Sequence, residues 1–113
     1  NSSTPAQIER GRAKLWARWD AQSVTDGVCE IKDSYNVTSV VYNSTGQYTV
    51  NYAITMANAN YLMVSMQRYN SRTQGTGGSA NLTTTQCTSW RSYDGSGNLS
   101  DRTIAGLMIF GDV

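Results

Sequence analysis

The chain has 113 residues, 39% of them hydrophobic and only 15% charged, and a formal net charge of +1. That length suits a single domain with a modest core; the near-zero charge excludes a global pull toward nucleic acid or an anionic membrane, and no run of about 18 apolar residues exists to cross a bilayer as a helix. Thr, Ser, Asn, Gln and Gly take the place of the missing charge, and seven Tyr and three Trp separate the chain from disordered sequences.

The first residues, Asn1 to Pro5, do not form a signal peptide and read as a cut point inside a longer chain. Thr4-Pro5-Ala6-Gln7 is a fair capping box with Pro in the first helical position, so residues 1–11 are expected to be a linker or short helix. From Arg12 the pattern has period two. Ala13, Leu15, Ala17 and Trp19 fall on one face, and Arg12, Lys14, Trp16, Arg18 and Asp20 on the other, which is strand alternation. Asp26-Gly27 is a turn signal before a short strand over Val28–Ser34. The β-branched run Val37–Tyr42, the turn Asn43–Gly46 and the alternating run Gln47–Ile54 predict a β-hairpin. Tyr61–Tyr69 is expected to be a strand with Leu62, Val64 and Met66 toward the core, and Asn70–Ala80 a Gly-rich loop. A Thr-rich strand is expected over Leu82–Arg91, then a loop around Asp94–Asn98. The last strand, Thr103–Phe110, is apolar enough to be buried on both faces. The expected fold is all-β: an antiparallel β-sandwich of about seven strands over residues 12–113, with at most a short N-terminal helix.

The absence of His removes Ser-His-Asp and Cys-His nucleophile systems and every His metal site. Eight acidic residues lie mostly at turns and strand ends, where Asp is ordinary, so neither a glycosidase carboxylate pair nor a calcium loop is expected. Asp94–Asn98 comes nearest to a calcium loop and reads as a turn. No enzyme activity, cofactor or metal is expected. Cys29 and Cys87 each sit in a strand candidate and read as buried thiols, with one structural disulfide as the alternative. Five N-x-S/T sequons match by chance in so Asn-, Ser- and Thr-rich a chain.

The Arg12, Lys14, Trp16, Arg18 face has three readings: a strip for an anionic glycan or nucleic acid, a charge-protected edge strand, or a subunit interface centred on Trp16 and Arg18. The tyrosines on strands read as cross-strand partners, Tyr69 and Tyr93 as exposed stacking surfaces, and Trp90 as core.

Lys32-Asp33-Ser34-Tyr35-Asn36-Val37-Thr38-Ser39-Val40, followed by Thr45-Gly46-Gln47-Tyr48-Thr49-Val50-Asn51-Tyr52, resembles a C-terminal module of bacteriophage tail fibre and related virion attachment proteins. Met56–Tyr61, Ala13–Trp19 and Gly106–Gly111 are similar to its other segments. Gln47, Ala57 and Asn58 depart from the pattern at turn or surface positions, and residues 62–103 carry none of it. The resemblance implies a virion component made in the bacterial host cytoplasm, a homotrimer joined to an upstream fibre shaft, and recognition of a bacterial cell-surface glycan or protein. The resemblance transfers no functional residue, and from composition and charge no nucleic-acid partner and no membrane insertion are expected. A purely structural trimerising or capping module is the alternative.

If every connection reverses the chain, the loops at 21–27, 43–46 and 70–81 share one end, and those at 35–36, 55–59 and 92–102 the other. Loops on a rigid scaffold concentrate binding residues. Tyr69, Asn70, Arg72 and Gln74, with Gln22, Asp26 and Asn43, are therefore the expected receptor contacts.

Overall fold

The structure, a computed structural model, describes residues 11–69, 72–74 and 81–113. The proposed N-terminal helix lies outside these residues. Among the described residues there is no helix, and so none long and apolar enough to cross a membrane. The described residues form nine strands: β1 (Ala13–Thr25), β2 (Val28–Tyr35), β3 (Val37–Ser44), β4 (Gln47–Tyr52), β5 (Leu62–Tyr69), β6 (Arg72–Gln74), β7 (Asn81–Leu82), β8 (Gln86–Arg91) and β9 (Ala105–Phe110). Seven of them have six or more residues, and β6 and β7 are short edge pieces.

The all-β antiparallel class holds. The two facing layers are supplied by one sheet, ordered β6-β5-β9-β1-β2-β3-β4-β8-β7, which curls into a half-barrel. The bend falls between β2 and β3, which pair only at Val28 and Val41. Across the interior, Trp19 of β1 meets Trp90 of β8 edge-on at 4.9 Å between ring centres and Tyr48 of β4 at 6.1 Å. Such aromatic pairs add about 1 kcal/mol each beyond their burial. Leu15, Ala17, Trp19 and Ala21 are buried, as their alternation requires, and so are Tyr48, Val50 and Tyr52 of the β3–β4 hairpin. Tyr52 and Tyr61 share a hydrogen bond of 2.7 Å, and the Tyr61 hydroxyl also donates to the Thr83 carbonyl at 2.7 Å. Asp26 and Gly27, both at positive φ, form the two-residue reversal between the paired Thr25 and Val28, the geometry that suits strand twist. Both cysteines are free and buried.

Four expectations are corrected. In β5 the inward residues are Met63, Ser65 and Gln67, while Leu62, Val64 and Met66 are exposed. Two of these inner positions are polar because they close the half-barrel: Trp90 donates to Ser65 Oγ at 3.0 Å, and Gln67 clamps the Tyr93 backbone. Residues 72–74 of the expected loop form β6, paired with β5. The strand expected over 82–91 is two strands, because Thr83 Oγ1 accepts from the Thr85 and Gln86 amides and turns the chain. Finally, β9 alternates at its apolar positions: Ala105, Leu107 and Ile109 are buried but Met108 is exposed, since no element among the described residues covers the outer face.

Candidate functional site

The extra reversal at Thr83–Thr85 changes the ends of everything after it. β8 runs antiparallel to β4 with Arg91 opposite Gln47, so the connection 92–104 emerges beside the β3–β4 turn. Simple reversal at every connection places it at the opposite end, with 35–36 and 55–59, and the added turn at Thr83–Thr85 overturns that. One end of the molecule therefore gathers the β1–β2 turn, the β3–β4 turn, the 92–104 connection and the end of the β5–β6 pair where Tyr69 faces Arg72.

Asp101 organises this end. Its Oδ1 accepts from the Gly46 amide at 2.8 Å and the Tyr48 hydroxyl at 2.7 Å, and its Oδ2 accepts from the Tyr42 hydroxyl at 2.8 Å. The Asp101 carbonyl accepts from Gln22 Nε2 at 3.1 Å, and the neighbouring Arg102 carbonyl accepts from the Ala21 amide at 2.9 Å. The Ser92 amide donates to Gly46 at 3.0 Å, and the buried Ser92 hydroxyl donates to the Ser100 carbonyl at 2.6 Å. Gly46 has φ of +69°, and a Cβ there would lie 2.7 Å from the Ser100 amide nitrogen, so the approach requires glycine. From the facing layer, fully buried Gln67 donates to the Tyr93 carbonyl at 2.7 Å and accepts from the Tyr93 amide at 2.8 Å. The long connection is thus tied to β1, β3, β4 and β5 and held as a rigid platform.

Burial, reinforced by the bond to Asp101, drives the Tyr48 hydroxyl far above the usual tyrosine range. Tyr48 stays a neutral donor. Asp94 uses its carboxylate in its own turn, accepting from the Ser96 amide at 2.8 Å and the Asn98 amide at 3.0 Å, which holds its pKa below the ordinary value. Among the described residues no three His, Cys, Asp or Glu side chains cluster as a metal site.

Gln22, Asp26 and Asn43 all lie at this end and are exposed, but no hydrogen bond joins them to one another. Asn43 Oδ1 accepts from Thr49 Oγ1 at 2.8 Å. Gln22 borders a polar depression of about 240 Å³ with Arg68, Arg102 and Thr103. The strand carrying Arg72 and Gln74 lies beside Tyr69, but these side chains and Asn70 fall outside what the structure describes. Tyr93 is half-buried, its backbone held by Gln67. Trp16 is half-buried and Arg18 exposed on the outer face of β1, but Lys14 is nearly covered and donates to the Arg12 carbonyl at 3.1 Å, so the basic strip is broken. Arg12 and Trp16 instead share a cleft of about 530 Å³ with Tyr35 and Asn36 at the opposite end. Nothing in the local sequence pattern singles out Asp101 or Gln67. Their partners lie 53 to 59 and 26 positions away, and each matches the ordinary composition of a turn or strand.

No family of known proteins matches the chain, and neither a curated protein nor a solved structure does.

Proposed function

We propose that this chain is a non-catalytic attachment module, the distal domain of a bacteriophage tail fibre, which meets a host-surface glycan or protein through its platform of connections. The carrying observation is the gathering of three chain reversals and the Tyr69–Arg72 end of the β5–β6 pair at one end, braced from beneath by Asp101 and Gln67. A pre-ordered platform lowers the entropy lost on binding, and loops on a rigid scaffold are the usual place for recognition. The resemblance of residues 13–61 to fibre-end modules supplies the biological setting, and a homotrimer on an upstream shaft would raise weak single-site affinity through linked sites. A second reading, a structural trimerising cap without a receptor, is favoured by Trp16 and Arg18 on the uncovered outer face of β1.

The test is retention of fluorescently labelled domain on a panel of bacteria. Wild-type chain is expected to label a subset of strains. A folded variant carrying Gln22→Ala, Asn43→Ala, Tyr69→Ala and Arg72→Ala is expected to lose at least tenfold in retention. Undiminished labelling by that variant removes the platform as the contact surface, and no labelling of any strain favours the structural cap.

A further inference from the structure

The outer face of β5, β9, β1 and β2 carries a lateral apolar row. Val64 pairs with Met108, Met108 with Trp16, and Trp16 with Tyr35, so the four side chains stand in line on one face. Val64 and Met108 are each 41% exposed and Tyr35 is 53% exposed. Beside the row, Leu62 is 61% and Met66 is 38% exposed. Gly106 stands at the level of Met66 and Arg18, and over it lies a dent of about 270 Å³ walled by Trp16, Arg18, Val64, Met66 and Met108.

Strand β5 is the decisive element. Its apolar residues Leu62, Val64 and Met66 face out, and its polar residues Ser65 and Gln67 face in. A half-exposed strand normally does the opposite. Such inversion of local pattern marks a surface that is itself covered.

We propose that this face packs against a second copy of the same chain. The five most exposed side chains and Trp16 present on the order of 500 Å² of apolar surface, the high end for a monomer's largest patch and close to the apolar share of a standard interface of about 800 Å² per partner. The face carries both signs of charge: Arg18 stands opposite Asp33 on the neighbouring strand, so each sign finds its opposite on a second copy turned to face it. Identical copies satisfy both conditions, and the dent over Gly106 receives a knob from the facing copy, Trp16 or Met108. This inference deepens the assembly part of the reading above and is independent of its receptor part.

The experiment is sedimentation equilibrium of the whole chain at about 5 to 200 μM, with Met108→Lys and Val64→Lys as variants. Both side chains are already partly in water, so a lysine there leaves the interior untouched, and circular dichroism checks the fold of each. The wild type is expected at a mass of two or more protomers, and either variant to weaken association at least tenfold. A wild-type chain monomeric throughout overturns the inference, as does a variant pair that associates like the wild type. If one lysine variant fails to fold, the other reads the same surface. Cell retention measured alongside separates the two ideas: monomers that still label bacteria remove this interface and keep the receptor reading.

Discussion

Removing the Asp101 carboxylate tests whether the loop end is a braced platform. In Asp101→Ala the Tyr48 hydroxyl, on a fully buried residue, loses a 2.7 Å bond and keeps only a 3.5 Å approach from Ser92. The Gly46 amide, also buried, loses its acceptor, and the half-buried Tyr42 hydroxyl turns to water. Hydrogen bonds to a charged group contribute about 1.5 to 3 kcal/mol each when buried, so two such losses, with little for Tyr42, give about 3 to 5 kcal/mol. Asp101→Asn keeps one oxygen that can accept from both Gly46 and Tyr48 and loses only the charge assistance, about 1 kcal/mol. Urea unfolding followed by tryptophan fluorescence measures both. With a slope of about 1.5 kcal/mol per molar, the alanine variant shifts the midpoint down by roughly 2 to 3 M and the asparagine variant by well under 1 M. An alanine variant within 0.5 M of the wild type would refute the bracing role, and an asparagine variant as unstable as the alanine one would refute the account by shape and lone pairs.

Two titrations follow from the same geometry. Burial pushes the Cys29 thiol to about 11, with Asp101 and Asp20 adding to it, and pushes Cys87 to about 12. Both values are raised, so their contribution to stability is complete below the unfolded-chain value of about 8.5 and is lost as pH climbs through 11 and 12. A thiol reagent at pH 8 is expected to label both residues only on unfolding, and rapid labelling of the native chain would contradict their burial. Asp94 titrates the other way. Its pKa is depressed by the Asn98 and Ser96 amides, so the turn is intact above the ordinary carboxylate value and opens as pH falls through the lower folded one. The amide resonances of Ser96 and Asn98 are expected to shift together below pH 3.8, and a midpoint above that value would show the carboxylate to be unpaired.

The parts of the fold legible in the sequence are those fixed by neighbours. β1, the Asp26-Gly27 reversal and the β3–β4 hairpin each carry period-two burial and turn chemistry within a dozen residues. The missed parts depend on distant partners. Cys87 and Trp90 have opposite parity yet both point inward, because Ser89 at φ of +57° shifts the register of β8 against β4. Three consecutive threonines read as strand, yet the first of them uses its hydroxyl to fold the chain back. That single turn decides the end at which residues 92–104 appear, and so the composition of the candidate site.

The inverted face of β5 joins the fold to assembly. A slip of β5 by one residue would turn Leu62, Val64 and Met66 inward. Burying their exposed surface, on the order of 250 Å², offers about 6 kcal/mol at 25 cal/mol per Å². Against it stand the two bonds of Gln67 to Tyr93 and that of Trp90 to Ser65, about 1 kcal/mol each, and the packing of Met63, about 2 kcal/mol. For an isolated chain the two registers are close in energy. Covering the outer face with a second copy, as proposed, would bury Leu62, Val64 and Met66 without surrendering the Gln67 clamp, and would favour the observed register by most of that ~6 kcal/mol. Because Gln67 holds the start of the 92–104 connection, the proposed association at the outer face would draw on the same strand that orders the platform.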